Sequence, residues 1–268
     1  MAKFTGKKLG FFKKRKEEER KNAAVFGNFL DFASKEAYNL LRTNILFSIA
    51  DKEGLGKIIG ITSSVPHEGK SYTAINLSYA IAKEGHKTLL ISADMRKPSI
   101  EGTIGIKADF GLSGLLVGKK QEGVIPSGLH ENLLFLPAGV IPPNPSELLG
   151  KESMKLLLDK FATEFEYVIV DLPPVNVVAD ALVVSKFLDG IVLIVRHGMT
   201  RRKELVEAVR KLRYVQAHIL GVVYNGYNHS RGKSYKGSYY KKYGYKNNSY
   251  YYYKDRDKEE KQKEENKK

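Results

Sequence analysis

Short apolar runs alternate with longer amphipathic stretches through most of the chain. Runs of five to eight residues, rich in leucine and β-branched side chains, predict strands at 57–62, 88–92, 132–139, 167–171, 190–195 and 219–225. Helical spacing of the apolar residues predicts helices at 34–50, 70–83, 145–162, 179–187 and 201–213. Ser34 is the expected N-cap of the first helix, and Gly150 is a weak point in the third. Because the strand runs carry few polar positions, they favour an α/β fold in which a mostly parallel sheet has helices on both faces.

This alternation fades toward both ends of the chain, which predicts three parts. Residues 1–33 form a basic N-terminal arm, residues 34–230 hold the predicted helices and strands, and residues 231–268 form a tail. The tail is rich in Tyr, Gly, Ser, Asn and Lys and ends in a low-complexity charged stretch, for which we expect disorder. Nine of the 16 tyrosines lie in this tail, whereas a folded core would distribute them along the chain.

The net charge of +15 belongs mainly to the two ends of the 268-residue chain. Residues 1–21 contribute +6 and residues 231–268 contribute +7, which leaves +2 for the part between them. Basic ends can meet phosphates of any kind, including anionic lipid headgroups. Since no recognition motif accompanies the charge, we expect no specific nucleic-acid partner.

The composition also bears on the cellular compartment. The chain has no cysteine, which excludes disulfides and thiolate metal sites and fits a reducing compartment. Its basic N-terminus is followed by no apolar stretch of the length a secretory signal needs, and its longest apolar runs are far shorter than the roughly 20 residues of a membrane span. The sequence therefore predicts a cytoplasmic protein.

A phosphate-binding loop stands between the first predicted strand and the helix at 70–83. Ser64 is followed after four residues by Gly69-Lys70-Ser71, which fits the P-loop pattern except that serine replaces its first glycine. In such a loop, backbone N–H groups point at phosphate oxygens, the lysine reaches the β- and γ-phosphates of ATP, and the serine hydroxyl binds Mg²⁺. The predicted nucleotide-binding residues are Ser64, Pro66, His67, Glu68, Gly69, Lys70, Ser71 and Tyr72. The fold class is accordingly predicted to be P-loop NTPase-like.

Two predicted strands end in aspartates, Asp94 after the strand at 88–92 and Asp171 at the end of the strand at 167–171. The carboxyl ends of parallel strands converge on the ligand crevice of an open sheet. An apolar strand closed by an aspartate is also the pattern of a Walker B motif, whose carboxylate holds Mg²⁺ directly or through water. Ser71, Asp94 and Asp171 are therefore the predicted metal-binding residues.

These motifs, taken in order, resemble those of the bacterial tyrosine kinases. The similarity covers about residues 34–253 and rests on "SSVPHEGKS", "LLISADMRKP", "VIVDLPP", "AGVIPPNPSELL" and the tyrosine-rich C-terminus. The resemblance implies an ATP-dependent protein-tyrosine kinase of capsule and exopolysaccharide synthesis and export, in the cytoplasmic, separate-chain form found in Gram-positive bacteria. It also implies a membrane-anchored chain-length regulator that recruits and activates the kinase at the inner face of the plasma membrane. A ring-like homo-oligomer and a cognate tyrosine phosphatase are the further partners implied.

The same resemblance assigns roles to individual residues. It makes Lys70, Asp94 and Asp171 catalytic, and it makes Glu36 and Arg42 contacts between subunits of the ring. Autophosphorylation in trans would use the tail tyrosines as acceptors. These are Tyr235, Tyr239, Tyr240, Tyr243, Tyr245, Tyr250, Tyr251, Tyr252 and Tyr253.

Two positions depart from the pattern of the family. The second motif usually reads Asp-x-Asp, but its first aspartate is Ser92 here. The oligomerisation helix usually carries Glu-x2-Arg-x2-Arg, but its middle arginine is Asn39 here. The tripeptide Asp109-Phe110-Gly111 matches the magnesium motif of eukaryotic-type kinases, but no catalytic loop of that class accompanies it, and we interpret it as an ordinary loop.

The alternative function is a nucleotide-switched P-loop ATPase scaffold with weak or no kinase activity. The septum-site and chromosome-partitioning ATPases would share the predicted sheet, but they usually carry an additional lysine early in the loop. Residues 62–66 of this chain contain no lysine, and those ATPases lack a tyrosine-rich tail. Both features favour the kinase.

Overall fold

The computed structural model describes residues 30–49, 55–119 and 123–227, all of which belong to the first of two units that divide the chain after Tyr227. The predicted phosphoacceptor tyrosines and most of the predicted N-terminal arm lie outside the described residues. No helix in these three described ranges combines the length and the apolar composition needed to cross a bilayer.

The sheet has seven strands in the order β3-β4-β2-β5-β1-β6-β7. Their bounds are β1 Lys57–Ser63, β2 Thr88–Ser92, β3 Ile125–Pro126, β4 Leu133–Leu136, β5 Tyr167–Asp171, β6 Gly190–Arg196 and β7 Ile219–Asn225. All neighbours pair in parallel except β3, which is antiparallel to β4. The predicted mostly parallel sheet is thereby confirmed. Among the strands of the described ranges, only the two-residue β3 was not indicated by the apolar pattern.

Helices cover both faces of the sheet, as the apolar pattern predicted. The helices are α1 Phe32–Ser48, α2 Lys70–Lys83, α3 Ile100–Ile104, α4 Leu112–Leu116, α5 Pro145–Leu149, α6 Glu152–Glu164, α7 Asp180–Val184 and α8 Arg202–Tyr214, with a short 3₁₀ turn at Ser185–Phe187. One buried apolar cluster lies between the sheet and α1, α2 and α3, and a second lies on the opposite face under α4 to α8. The continuous β-branched strands are buried on both faces for this reason.

Two local predictions about the helices were wrong. The N-cap of α1 is Asp31, whose carboxylate accepts a hydrogen bond of 2.8 Å from the backbone N–H of Ser34. An aspartate three residues before a backbone N–H caps as well as a serine does, so the pattern alone did not distinguish them. The helix predicted at 145–162 is two helices that meet at Gly150 and Lys151, because Lys151 has the extended backbone of an N-cap for α6.

The loop that contains Asp109-Phe110-Gly111 leads into α4, as the interpretation as an ordinary loop requires. Its glycine has a structural purpose, since Gly111 has a φ of 151° and its backbone packs against the segment from Pro137 to Gly139. A Cβ atom at Gly111 would lie 2.1 Å from the carbonyl oxygen of Pro137. Gly111 therefore allows this loop to pack closely against the loop that follows β4.

We predict that Gly111→Ala lowers the free energy of unfolding by about 3 kcal/mol, because it combines a disfavoured backbone conformation with a backbone collision. Gly105→Ala is the matched control: Gly105 also has a positive φ, 77°, but a Cβ atom there would meet nothing within 4 Å. The control should lose only about 1 kcal/mol in urea unfolding. Equal losses in the two variants would contradict the role assigned to the loop contact.

Candidate functional site

The carboxyl ends of three neighbouring strands, β2, β5 and β1, build the site. Parallel pairing places Ser92 of β2 level with Asp171 of β5, and Asp171 level with Ile61 of β1. The chain leaves β1 directly into the predicted phosphate loop, and α2 begins at Lys70. The residues that the sequence singled out at separate strand ends are therefore neighbours in space.

The loop from Ser64 to Gly69 has the conformation of an anion cradle. Gly69, the residue before α2, is left-handed with a φ of 95°, and a Cβ atom there would lie 2.2 Å from Nδ2 of Asn225. Only glycine fits both the backbone angle and this space. The Ser64 hydroxyl is buried and has no hydrogen-bond partner among the described residues. A buried orphan hydroxyl beside a helix N-terminus fits a site that receives an external hydrogen-bonding group.

Lys70 stands between the two predicted metal-binding carboxylates. Its Nζ lies 2.9 Å from Oδ2 of Asp94 and 3.3 Å from Oδ1 of Asp171. Burial lowers the pKa of Lys70, but the charges of Asp171 and Asp94 outweigh it and leave that pKa raised. Lys70 is therefore a firmly charged ammonium inside the protein, which a phosphate-binding lysine must be.

Asp171 is fully buried and makes the closest contact of the cluster. The Ser71 hydroxyl donates a hydrogen bond of 2.6 Å to its Oδ2. Burial raises the pKa of Asp171 to about 6, although Lys70 and the Ser71 hydroxyl act in the opposite direction. Asp171 is thus a buried carboxylate whose negative charge Lys70 and Ser71 compensate only in part.

Asp94 is almost fully buried, and the backbone N–H of Lys97 holds its Oδ1 at 3.1 Å. The donor set of this cluster, two carboxylates and the Ser71 hydroxyl, suits Mg²⁺, which prefers oxygen and usually takes one or two carboxylates together with phosphate and water. In the described ranges no group of three or more His, Cys, Asp or Glu side chains could hold a metal ion. The two carboxylates and the hydroxyl fit a cation that also takes oxygens from a nucleotide phosphate.

Glu68 is one of the predicted nucleotide-binding residues, and its side chain turns into the protein. Its carboxylate accepts a hydrogen bond of 2.9 Å from the Val65 N–H and another from the Thr200 hydroxyl. Asn225 donates a hydrogen bond of 2.8 Å to the Glu68 carbonyl, and Arg196 donates one of 3.0 Å to the His67 carbonyl. The ends of β6 and β7 thus brace the loop.

No motif or periodicity in the sequence indicates this bracing. Thr200, Arg196 and Asn225 lie more than 125 positions after the loop and belong to no motif. Of the other predicted nucleotide-binding residues, Pro66 and His67 are exposed at the loop surface, whereas the Tyr72 side chain packs against the apolar cluster under α2.

The two predicted subunit contacts lie on α1. Glu36 is exposed and accepts a hydrogen bond of 3.2 Å from the Asn39 side chain. Arg42 is engaged within its own chain, because it forms an ion pair of 2.8 Å with Glu84 and donates a hydrogen bond of 3.2 Å to the Ala80 carbonyl. The same helix exposes three large apolar side chains to solvent. They are Phe32, Leu40 and Phe47.

Comparisons with known proteins agree on a nucleotide-binding fold. Residues 59–252 match the family model of the CobQ/CobB/MinD/ParA nucleotide binding domain. The chain is 37% identical to the tyrosine-protein kinase YwqD of Bacillus subtilis, over 75% of this chain and 85% of the relative. It is 35% identical to the tyrosine-protein kinase CpsD of Streptococcus agalactiae, over 74% of this chain and 85% of the relative. The crystallised kinase domain of Escherichia coli tyrosine kinase ETK superposes with a TM-score of 0.71 at 31% identity, over 81% of this chain and 84% of that domain.

We predict that Lys70→Met lowers the affinity for a fluorescent ATP analogue about 10- to 100-fold, because the phosphates lose a charged hydrogen-bond donor. Lys83→Met, at the exposed opposite end of α2, is the control and should bind as wild type does. Affinity is measured by fluorescence titration after thermal unfolding has shown both variants to be folded. Unchanged affinity in Lys70→Met would refute the assigned phosphate site.

The raised pKa of Asp171 predicts how the stability of the ligand-free protein changes with pH. Its pKa is 3.8 in the unfolded chain and about 6 in the folded one, so the folded chain holds this proton more tightly. The contribution of Asp171 is most favourable below pH 3.8 and is lost as the pH rises through about 6. As the pH rises through this range, the free energy of unfolding of the wild type should fall by on the order of 2 kcal/mol relative to that of Asp171→Asn. Urea unfolding of both proteins between pH 4 and pH 8 tests this, and a constant difference would contradict it.

Proposed function

Because this chain belongs to the bacterial tyrosine kinases, we propose that it transfers the terminal phosphoryl group of ATP to the tyrosines of its own C-terminal tail. The observation that carries the proposal is the buried cluster in which Lys70, Ser71, Asp94 and Asp171 meet at the strand ends. The family model by itself names CobQ-, CobB-, MinD- and ParA-like nucleotide-binding domains and does not single out a kinase. The tyrosine kinases at 35–37% identity and the nine tail tyrosines favour the kinase.

Each residue of the cluster has a distinct role in this proposal. Lys70 binds the β- and γ-phosphates, and the loop N–H groups orient them for in-line attack. Ser71, Asp94 and Asp171 hold Mg²⁺, which when bound neutralises charge on the phosphate oxygens. The attacking tyrosine forms its O–P bond as the bond from the γ-phosphorus to the β-bridging oxygen breaks, and ADP leaves.

The tyrosine must also lose its proton, because a phenol has a pKa near 10. We assign the acceptance of this proton to Asp94, the strand-end carboxylate nearer the surface of the cluster, as an alternative to its role as a Mg²⁺ ligand. The loose transition state of phosphoryl transfer places little demand on a strong base, so positioning and charge neutralisation contribute most of the acceleration. An aspartate is therefore sufficient for this role.

The last described strand, β7, ends close to the phosphate loop. Asn225 ends β7 and binds the Glu68 carbonyl of the loop, and the first acceptor, Tyr235, follows ten residues later. Ten extended residues reach at most about 35 Å, so the tail can meet its own site or that of an adjacent subunit. We propose transfer in trans within a ring-like oligomer, in which Glu36 and Arg42 of α1 contact the neighbour.

The family also supports a place for this kinase in capsule or exopolysaccharide synthesis. We propose that a membrane-anchored chain-length regulator recruits the cytoplasmic kinase to the inner face of the plasma membrane and activates it, and that a tyrosine phosphatase reverses the reaction. Residues 231–268 carry +7, and each phosphotyrosine adds about −1.5 to −2. Four or five phosphates therefore neutralise the tail, which would weaken its attraction to anionic lipids and to a carboxylate-rich site.

The test separates the active site from the acceptors. We mix Lys70→Met, which keeps all nine tail tyrosines, with a variant that keeps Lys70 but carries phenylalanine at those nine positions. With Mg-ATP, mass spectrometry should find phosphate on the tail of Lys70→Met in the mixture and on neither variant alone. If wild type alone labels its tail while the mixture of the two variants stays unlabelled, transfer occurs in cis. Nucleotide binding without labelling of wild type would favour the alternative, a nucleotide-switched ATPase scaffold.

A further inference from the structure

Ser92 ends β2 with a hydroxyl where the bacterial tyrosine kinases usually have a carboxylate, and the structure brings a carboxylate to it from elsewhere. The fully buried Ser92 hydroxyl donates a hydrogen bond of 3.3 Å to Oε2 of Glu101. The other oxygen of Glu101, Oε1, accepts a hydrogen bond of 2.8 Å from the Ala138 N–H. Glu101 is thus fixed at the end of the strand by two donors.

This contact lies at the carboxyl end of β2, beside the site. Ser92 is the last residue of β2, and Asp94 follows two positions after it. Pairing with β5 places Ser92 level with Asp171. Helix α3, which contains Glu101, has a second connection to the site, because the Ser99 hydroxyl before its first turn donates a hydrogen bond of 2.9 Å to the Ser71 hydroxyl.

We propose that Glu101 is a positioning residue that supplies, through the Ser92 hydroxyl, the negative charge missing from the end of β2. The Ser92 proton points to Glu101, so the lone pairs of Ser92 Oγ are free to accept a hydrogen bond from the cluster. A carboxylate behind a hydroxyl strengthens it as an acceptor, since hydrogen bonds in such a chain polarise one another. The inference rests on the proposed function and deepens it, because the group served is a water molecule bound to the Mg²⁺ of the nucleotide.

Glu101 could instead serve only to anchor the loop at Ala138 or to complement the dipole of a short helix. Glu101→Gln separates these roles. Glutamine keeps a carbonyl oxygen for the Ala138 N–H, but it removes the charge that Ser92 would transmit. Glu152→Gln is the matched control for the dipole, because Glu152 is also in a first turn, that of α6, and is exposed on the opposite face of the molecule.

The first measurement does not depend on catalysis. We titrate Mg²⁺ against the affinity of each variant for a fluorescent ATP analogue. Glu101→Gln should raise the half-saturating Mg²⁺ concentration about tenfold, in the range found when residues behind a metal ligand are changed. Ser92→Ala, which removes the connecting hydroxyl and leaves Glu101 in place, should raise it equally. Glu152→Gln should remain within about twofold of wild type.

The decisive variant returns the carboxylate to the strand. Ser92→Asp combined with Glu101→Gln should bring the Mg²⁺ dependence and the rate of tail labelling back to within about threefold of wild type. A purely structural Glu101 gives no reason for such rescue. The inference is overturned if Glu101→Gln matches wild type in Mg²⁺ dependence, if Glu152→Gln loses as much, or if Ser92→Asp fails to restore Glu101→Gln.

These outcomes are distinct from failure of the proposed function. A wild-type chain that labels no tyrosine, but whose Mg²⁺-dependent nucleotide affinity still responds to Glu101 and Ser92, would refute the kinase assignment and leave this inference standing. If wild type and Glu101→Gln label their tails at the same rate and with the same Mg²⁺ dependence, the kinase assignment stands and this inference is refuted. If Glu101→Gln is unfolded by thermal denaturation, the comparison of Ser92→Ala with wild type decides the question.

Discussion

An ammonium group between two buried carboxylates, Lys70 between Asp94 and Asp171, is the interaction on which this site depends. Charges removed from water are tolerated only when they are paired, and this cluster has one positive charge for two potential negative ones. Burial raises the pKa of Asp171, and the nearby Asp94 carboxylate adds to this rise, although Lys70 opposes it. Under the proposed function, Lys70 would turn to the phosphates, and Asp94 and Asp171 would turn to the cation. Nucleotide binding would then also relieve the burial of uncompensated charge.

The phosphate loop keeps its shape because distant strands hold it. Its backbone carbonyls are bound by Arg196 and Asn225, and its one buried carboxylate, that of Glu68, is bound by Thr200. These partners come from the ends of β6 and β7, so the last strand before the tail is in direct contact with the nucleotide loop. Any displacement of the loop on nucleotide binding must change the contacts of Asn225. The end of β7 and the phosphate loop are thereby mechanically connected.

Sequence reasoning succeeded where the determinants are local. The strands at 88–92, 167–171 and 219–225, the bounds of α2 and the convergence of Lys70, Asp94 and Asp171 follow from apolar periodicity and from the rule that parallel strands end together. Periodicity and motifs do not indicate contacts with partners that are distant in sequence. Glu68 lies in a nucleotide-binding motif, yet Thr200, a residue 132 positions away, holds its carboxylate. Arg42 likewise finds Glu84 on a neighbouring helix, a pairing that helical periodicity cannot reveal.

Glu101 belongs to the same class of non-local determinants. A linear motif records which residue occupies the end of β2, but the chemistry of the site depends on which charges reach that point in space. A carboxylate on α3, nine positions after Ser92, reaches the same point with one hydroxyl between. Because the Ser92 hydroxyl intervenes, the charge of Glu101 would act on Lys70 and Asp171 in a more screened form than the charge of an aspartate at the end of the strand. Judged by the Asp-x-Asp motif alone, this chain lacks a negative charge at the end of β2. Under the proposed role of Glu101, the replacement of aspartate by Ser92 weakens that charge but does not remove it.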